Sequence, residues 1–113
     1  MKTVLFVCSQ NRLRSPTAEQ VFSFRQDIEC SSAGLNHDAE NPVTPELVKS
    51  ASIIFVMERA HERKLRAKFK SSLSAARIVC LNIPDNYEFM EPELVRLLKL
   101  KVNPFLPSSK IGG

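Results

Sequence analysis

Cys8 and Arg14 stand near the start of the chain with five residues between them, and Ser15 follows directly. A thiolate is a nucleophile. A guanidinium offers two parallel donors to two oxygens of one phosphate. A hydroxyl can donate to a sulfur that has to leave again. Together these three groups suit attack of sulfur on a phosphoryl centre, with a covalent sulfur–phosphorus intermediate. That chemistry calls for no metal and no cofactor, and neither is expected.

Such groups act only if the backbone brings them to one point. Val4 to Val7 is a short, uninterrupted apolar run, which predicts a strand buried on both faces, and Cys8 ends it. Ser15-Pro16 then predicts a helix start, with Ser15 as N-cap and Pro16 at the first position, running to about residue 26. A strand, a tight loop and a helix N-terminus form an anion cradle, because the loop and first-turn N–H groups have no intrahelical partner. Ser9, Gln10, Asn11, Arg12, Leu13, Arg14 and Ser15 would line it, with Cys8 at its base and Arg14 at its outer lip, a surface position.

The run Cys8-Ser-Gln-Asn-Arg-Leu-Arg14-Ser15-Pro16, set directly after an N-terminal strand, resembles the phosphate loop of the low-molecular-weight protein tyrosine phosphatases. The resemblance implies a phosphomonoester hydrolase that works through a cysteinyl-phosphate. It also implies that Asn11 takes an unusual backbone conformation supported by Ser32, in the Ser31-Ser32-Ala33-Gly34 run that ends the second strand. Two loop positions depart from the family pattern. A usual glycine is Gln10 and a usual second cysteine is Leu13, so a disulfide switch next to Cys8 is not available.

Phosphate-ester cleavage also needs a proton for the leaving oxygen and then a base for water, and one carboxyl group can serve both steps. The family places that group on the loop before its last helix, in an Asp-Pro-Tyr-Tyr setting. Here the corresponding stretch is Pro84-Asp85-Asn86-Tyr87, which makes Asp85 the candidate acid and Tyr87 and Phe89 the candidate walls for a substrate ring.

Strands alternate with helices along the rest of the chain. Strands are expected at 28–33, 52–57 and 77–83, and helices at 45–50, 58–70 and from Glu91-Pro92 onward. That alternation predicts an α/β fold: a single doubly wound domain over 1–106, with a four-stranded parallel sheet and helices on both faces, and a frayed tail over 107–113. In such sheets ligands bind beyond the carboxyl ends of the strands. Cys8 follows the first strand and Asp85 the fourth, so both fall on that edge. Cys30 and Cys80 lie within strands and read as inert core thiols. The helix at 58–70 is very basic and is read as a solvated face with one buried stripe of His61, Leu65 and Phe69.

With 113 residues, 43% hydrophobic and 25% charged, the composition is that of an ordinary globular domain, without a run long enough to span a bilayer or a leader pattern. The net charge of +4 suits an anionic substrate and gives no reason to expect nucleic acid. Three cysteines without metal-ligand spacing point to a reducing, cytoplasmic compartment. The expected partners are a phosphorylated protein or small aryl phosphate, and inorganic phosphate as product. Two other functions compete: an arsenate reductase, which would need relay cysteines, and a non-catalytic phospho-ligand module, which would need the cradle but not Asp85. Physiological substrate and oligomeric state are left open.

Overall fold

β1 (Lys2–Cys8) is the strand on which the others assemble. It pairs in parallel with β2 (Ile28–Gly34) on one side and β3 (Ile53–Val56) on the other, and β3 pairs in parallel with β4 (Arg77–Cys80). The order is therefore β2-β1-β3-β4. This computed structural model describes residues 2–73 and 76–106. The expected tail at 107–113 lies outside the described residues.

The continuous apolar runs serve two cores at once, because successive strand residues point to opposite faces. Val4, Phe6 and Cys8 of β1 join Phe55 of β3 under α1 (Arg14–Phe22) and α4 (Pro92–Val102). Phe6 stacks between Phe22 and Phe55, with ring centroids 5.8 and 5.4 Å away. Leu5 and Val7 face the other way and join Ile54 and Val56 under α2 (Pro45–Ser50) and α3 (Arg59–Lys68). Helices thus cover both faces of a four-stranded parallel sheet.

Local signals set most boundaries. Thr44 caps α2, accepting from the Leu47 N–H at 3.2 Å, with Pro45 opening the helix. Pro92 opens α4, and Asn103–Phe105 closes it as a 3₁₀ turn. Two expectations change. β4 stops at Cys80 and is an edge strand covered only in part, so Cys80 is half-buried rather than a core thiol. Cys30 is also half-buried, in β2, where burial and the nearby Glu19 push its thiol up to about 11.

Strand order reverses at β1: β2 lies on one side of it and β3 and β4 on the other. The crevice beyond the carboxyl ends at such a point is where open α/β sheets bind ligands. The chain leaves β1 there at Cys8, leaves β3 at Glu58 just before α3, and runs on from β4 towards Asp85.

Candidate active site

The loop after β1 is shaped from outside. Its carbonyls are turned towards the exit of β2: Cys8 accepts from Leu35 N–H at 2.9 Å, Ser9 from Asn36 at 3.0 Å and Gln10 from Glu40 at 3.1 Å. Among the described residues, the N–H groups of Ser9, Gln10, Arg12 and Leu13 have no protein acceptor, while that of Asn11 donates to Cys8 Sγ at 3.3 Å. Carbonyls outward and amides free is the arrangement of an anion-binding nest. Close packing requires a glycine at the β2 exit: a Cβ on Gly34 would lie 2.6 Å from the Ser9 carbonyl oxygen and 2.9 Å from the Gln10 carbonyl carbon.

Asn11 has φ 58°, the left-handed region that Asn enters more readily than most residues. Its amide nitrogen donates to Ser15 Oγ and to Ser32 Oγ, both at 3.0 Å, and Ser32 donates in turn to Glu19 Oε1. Ser15 Oγ lies 3.0 Å from Cys8 Sγ. Since Ser15 already accepts from Asn11, its own O–H is available to a thiolate. The expected N-cap role of Ser15 does not hold. α1 begins two residues before the expected first position, at Arg14 with Leu13 as its cap, and the Ser15 hydroxyl serves the sulfur instead.

Arg14 is not at the surface, as the sequence suggested, but 4% exposed. Its Nη1 donates to Glu58 Oε2 at 2.5 Å and to the Ile83 carbonyl at 2.8 Å. One side chain therefore ties together the exits of β1, β3 and β4. Nε and Nη2 have no hydrogen-bond acceptor among the described residues, and Nε lies 3.7 Å from Asp85 Oδ1. A two-pronged donor pair thus remains for an oxyanion. The bond from Arg14 holds the Glu58 carboxyl below its ordinary range.

The sequence reading missed His61 and Glu58. His61 is 4% exposed, and its Nε2 lies 2.9 Å from Ser9 Oγ. Its Nδ1 accepts from the Glu58 N–H at 3.2 Å. That fixes the tautomer: in the neutral ring Nε2 carries the hydrogen and donates to Ser9. Burial, and then the Arg14 charge, push the His61 pKa down, which keeps the ring neutral. The available signal was Glu58-x-x-His61 opening a helix on the sheet edge that also holds Cys8. A side chain at the third helical position can reach back to the cap N–H, as in a capping box.

A cleft of about 210 Å³ is lined by Cys8, Ser9, Gln10, Arg12, Leu13, Arg14 and Asp85. Asp85 is 63% exposed and is carried to the rim because the chain after β4 keeps bonding to the β3 edge, from Leu81 N–H to Val56 and from Ile83 N–H to Met57. Tyr87 and Phe89 do not line the cleft. Tyr87 packs half-buried against the core on the α1 and α4 face, and Phe89 is 50% exposed. The Met90 N–H, at 2.9 Å from Thr17 Oγ1, anchors this segment to α1 instead. Arg12 pairs loosely with Glu40 at 3.6 Å in solvent. Among the described residues no group of three or more His, Cys, Asp or Glu could hold a metal, and no helix is long and apolar enough to cross a membrane.

Residues 3–52 match the family model described as low molecular weight phosphotyrosine protein phosphatase. The fold as a whole is similar to that of the low-molecular-weight protein tyrosine phosphatase of Streptococcus pyogenes, at 19% identity and TM-score 0.76, over 96% of this chain and 95% of that one. Over residues 3–52 in sequence, and over nearly its whole length in fold, the chain is similar to the low-molecular-weight phosphatases. The tyrosine phosphatase of T. tengcongensis is 23% identical with TM-score 0.72, covering 94% of this chain and 100% of its own. The YwlE arginine phosphatase of Geobacillus stearothermophilus is 17% identical with TM-score 0.73, covering 93% of each chain. No curated protein matches the chain in sequence. In this fold Cys8 is the last residue of the first strand.

Proposed function

We propose that the chain is a cysteine-dependent phosphomonoester hydrolase. The observation that carries the reading is the join of Cys8 Sγ, loop amides without a protein acceptor among the described residues and the unengaged donor pair of Arg14 around one small cleft. The thiolate of Cys8 attacks phosphorus in line, the sulfur–phosphorus bond forms, and the phosphorus–oxygen bond to the leaving group breaks. Loop amides and Arg14 hold the three equatorial oxygens, donors fixed in place before the reaction begins. Asp85 protonates the leaving oxygen, then takes a proton from water as that water attacks the cysteinyl-phosphate. The sulfur leaves as thiolate, stabilised by the Ser15 hydroxyl and the Asn11 N–H.

The substrate reading is a phosphorylated protein side chain, with inorganic phosphate released. Related folds include both tyrosine and arginine phosphatases. A catalytic thiol of this kind suits a reducing compartment such as the cytoplasm.

Arsenate reduction through an internal disulfide relay fits the geometry poorly. Cys30 pairs with Val4 while Gly34 pairs with Cys8, which puts Cys30 roughly 13 Å down the sheet from the nucleophile. Cys80 is two strands away from β1, about 10 Å. A disulfide needs Cα atoms within about 7 Å.

The test is turnover of p-nitrophenyl phosphate by the wild-type protein and by Cys8→Ser. The proposal expects turnover by the first and none by the second. Equal rates for the two would remove Cys8 from the chemistry. Tight phosphate binding without turnover by either would favour the binding-module reading.

A further inference from the structure

A second depression begins where the catalytic cleft ends. Ser9 lines both, and from it a groove of about 440 Å³ runs along α3 past Ala60, Arg63, Lys64 and Ala67. Its helical wall is made of small side chains with cations between them. Residues 59–68 carry five cations, Arg59, Arg63, Lys64, Arg66 and Lys68, against one carboxylate, Glu62. Glu62 is already paired with Arg66 at 3.0 Å. The carboxylate that lines the groove, Glu58, is engaged by Arg14. Lys64 reaches only the neutral side-chain oxygen of Asn36, and Arg63 has no acidic partner among the described residues. The wall therefore presents positive charge that the fold itself does not neutralise, in direct continuity with the phosphate loop.

We propose that this groove reads acidic residues flanking the phosphorylated residue of a protein substrate. The inference rests on the phosphatase reading and adds a substrate class to it. Ala60 to Ala67 spans about 10 Å of helix, a length that an extended peptide covers in about three residues. Two or three Asp or Glu side chains next to the phosphorylated residue would therefore lie opposite Arg63 and Lys64. The groove wall is too open and too charged for an apolar helix. The gain is electrostatic: such contacts favour encounter and selectivity, and salt screens them.

The experiment uses the full chain and phosphotyrosine peptides with three Glu or three Gln on either the N- or the C-terminal flank. At about 50 mM salt, kcat/KM should be roughly five- to tenfold higher with Glu on one flank, the scale of two exposed charge contacts. R63Q/K64Q should lose that advantage while its rate on p-nitrophenyl phosphate stays at the wild-type value. About 0.5 M salt should erase it in the wild type. Equal kcat/KM for all four peptides overturns the proposal, as does a preference that survives in R63Q/K64Q. If p-nitrophenyl phosphate is not turned over, the phosphatase reading fails separately. The groove is then judged by anisotropy of the labelled peptides on Cys8→Ser protein, where Glu-flanked peptides must bind more tightly. A single-stranded RNA oligomer that displaces the Glu peptide at equal concentration and salt also overturns it.

Discussion

Arg14→Lys keeps the charge and removes the geometry. In the wild type Nη1 is held by Glu58 and Ile83, which leaves Nε and Nη2 as a parallel pair facing the cleft. A lysine brings one nitrogen to a site where three oxygens need donors. If it turns to Glu58, the phosphoryl group loses both prongs; if it turns to the phosphoryl group, Glu58 and the Ile83 carbonyl lose their donor. Loss of one preorganised oxyanion donor lowers kcat by about 10² to 10³. Lysine offers no second prong, so kcat on p-nitrophenyl phosphate should fall by at least about a hundredfold. Stability should fall as well. An orphaned buried carbonyl costs about 1–3 kcal/mol, whereas Glu58, partly in solvent, is rehydrated and adds little. At roughly 4–8 °C per kcal/mol for a domain of this size, the midpoint should drop by about 4–24 °C. Steady-state kinetics at 25 °C, inhibition by inorganic phosphate and a thermal melt on one preparation measure all three. Retention of more than a tenth of the activity, or a variant that melts with the wild type, would refute the assignment of Arg14 as both clamp and tie.

Three further outcomes are expected. Iodoacetate at pH 6.5 should alkylate Cys8 far faster than Cys30, whose thiol is pushed up to about 11, and phosphate should protect Cys8; equal modification of the two, read by mass spectrometry, would contradict the cradle. Asp85→Asn should slow phenyl phosphate by about 10² to 10⁴ and p-nitrophenyl phosphate much less, because only the poorer leaving group needs a proton; a uniform loss across a leaving-group series would show that Asp85 is not the acid. His61 is held neutral in the fold, while the unfolded chain protonates it near about 6.5. Its contribution is therefore fully present above that pH and is lost as pH falls through the lower, folded value, a loss that His61→Gln should lack in urea titrations between pH 7.5 and 5.5. Matching slopes for the two proteins would remove His61 as the cause.

Legibility in the sequence followed distance along the chain. Cys8, Asn11, Arg14 and Ser15 lie within one strand–loop–helix unit, so their types and spacing were enough to propose the cradle. Thr44-Pro45 and Glu91-Pro92 marked helix starts for the same local reason. Arg14 to Glu58 and Ser9 to His61 are pairings across 44 and 52 residues, made only when β3 docks beside β1, and no local pattern announces them. The burial of Arg14 was missed because a charge reads as exposed until its partner is known. Phe89 was taken for a ring wall on position alone, yet Met90 fastens its segment to Thr17 and Phe89 is not among the residues that line the cleft. Cys80 looked like core because Ile-Val-Cys-Leu is apolar, but composition does not say that β4 is the last strand of the sheet.

The chain just beyond β2 shapes the loop after β1 with main-chain amides: those of Leu35, Asn36 and Glu40 fix the carbonyls of Cys8, Ser9 and Gln10. His37, Asp38 and Glu40 themselves are exposed. Residues 37, 38 and 40 are therefore free to drift in chemical character, as long as none of the three donor positions becomes proline. Chain length there is not free. One residue inserted or deleted directly after Gly34 would move all three donors out of register, and one between Asn36 and Glu40 would move the last of them, so the cradle would flatten although no residue that lines it had changed.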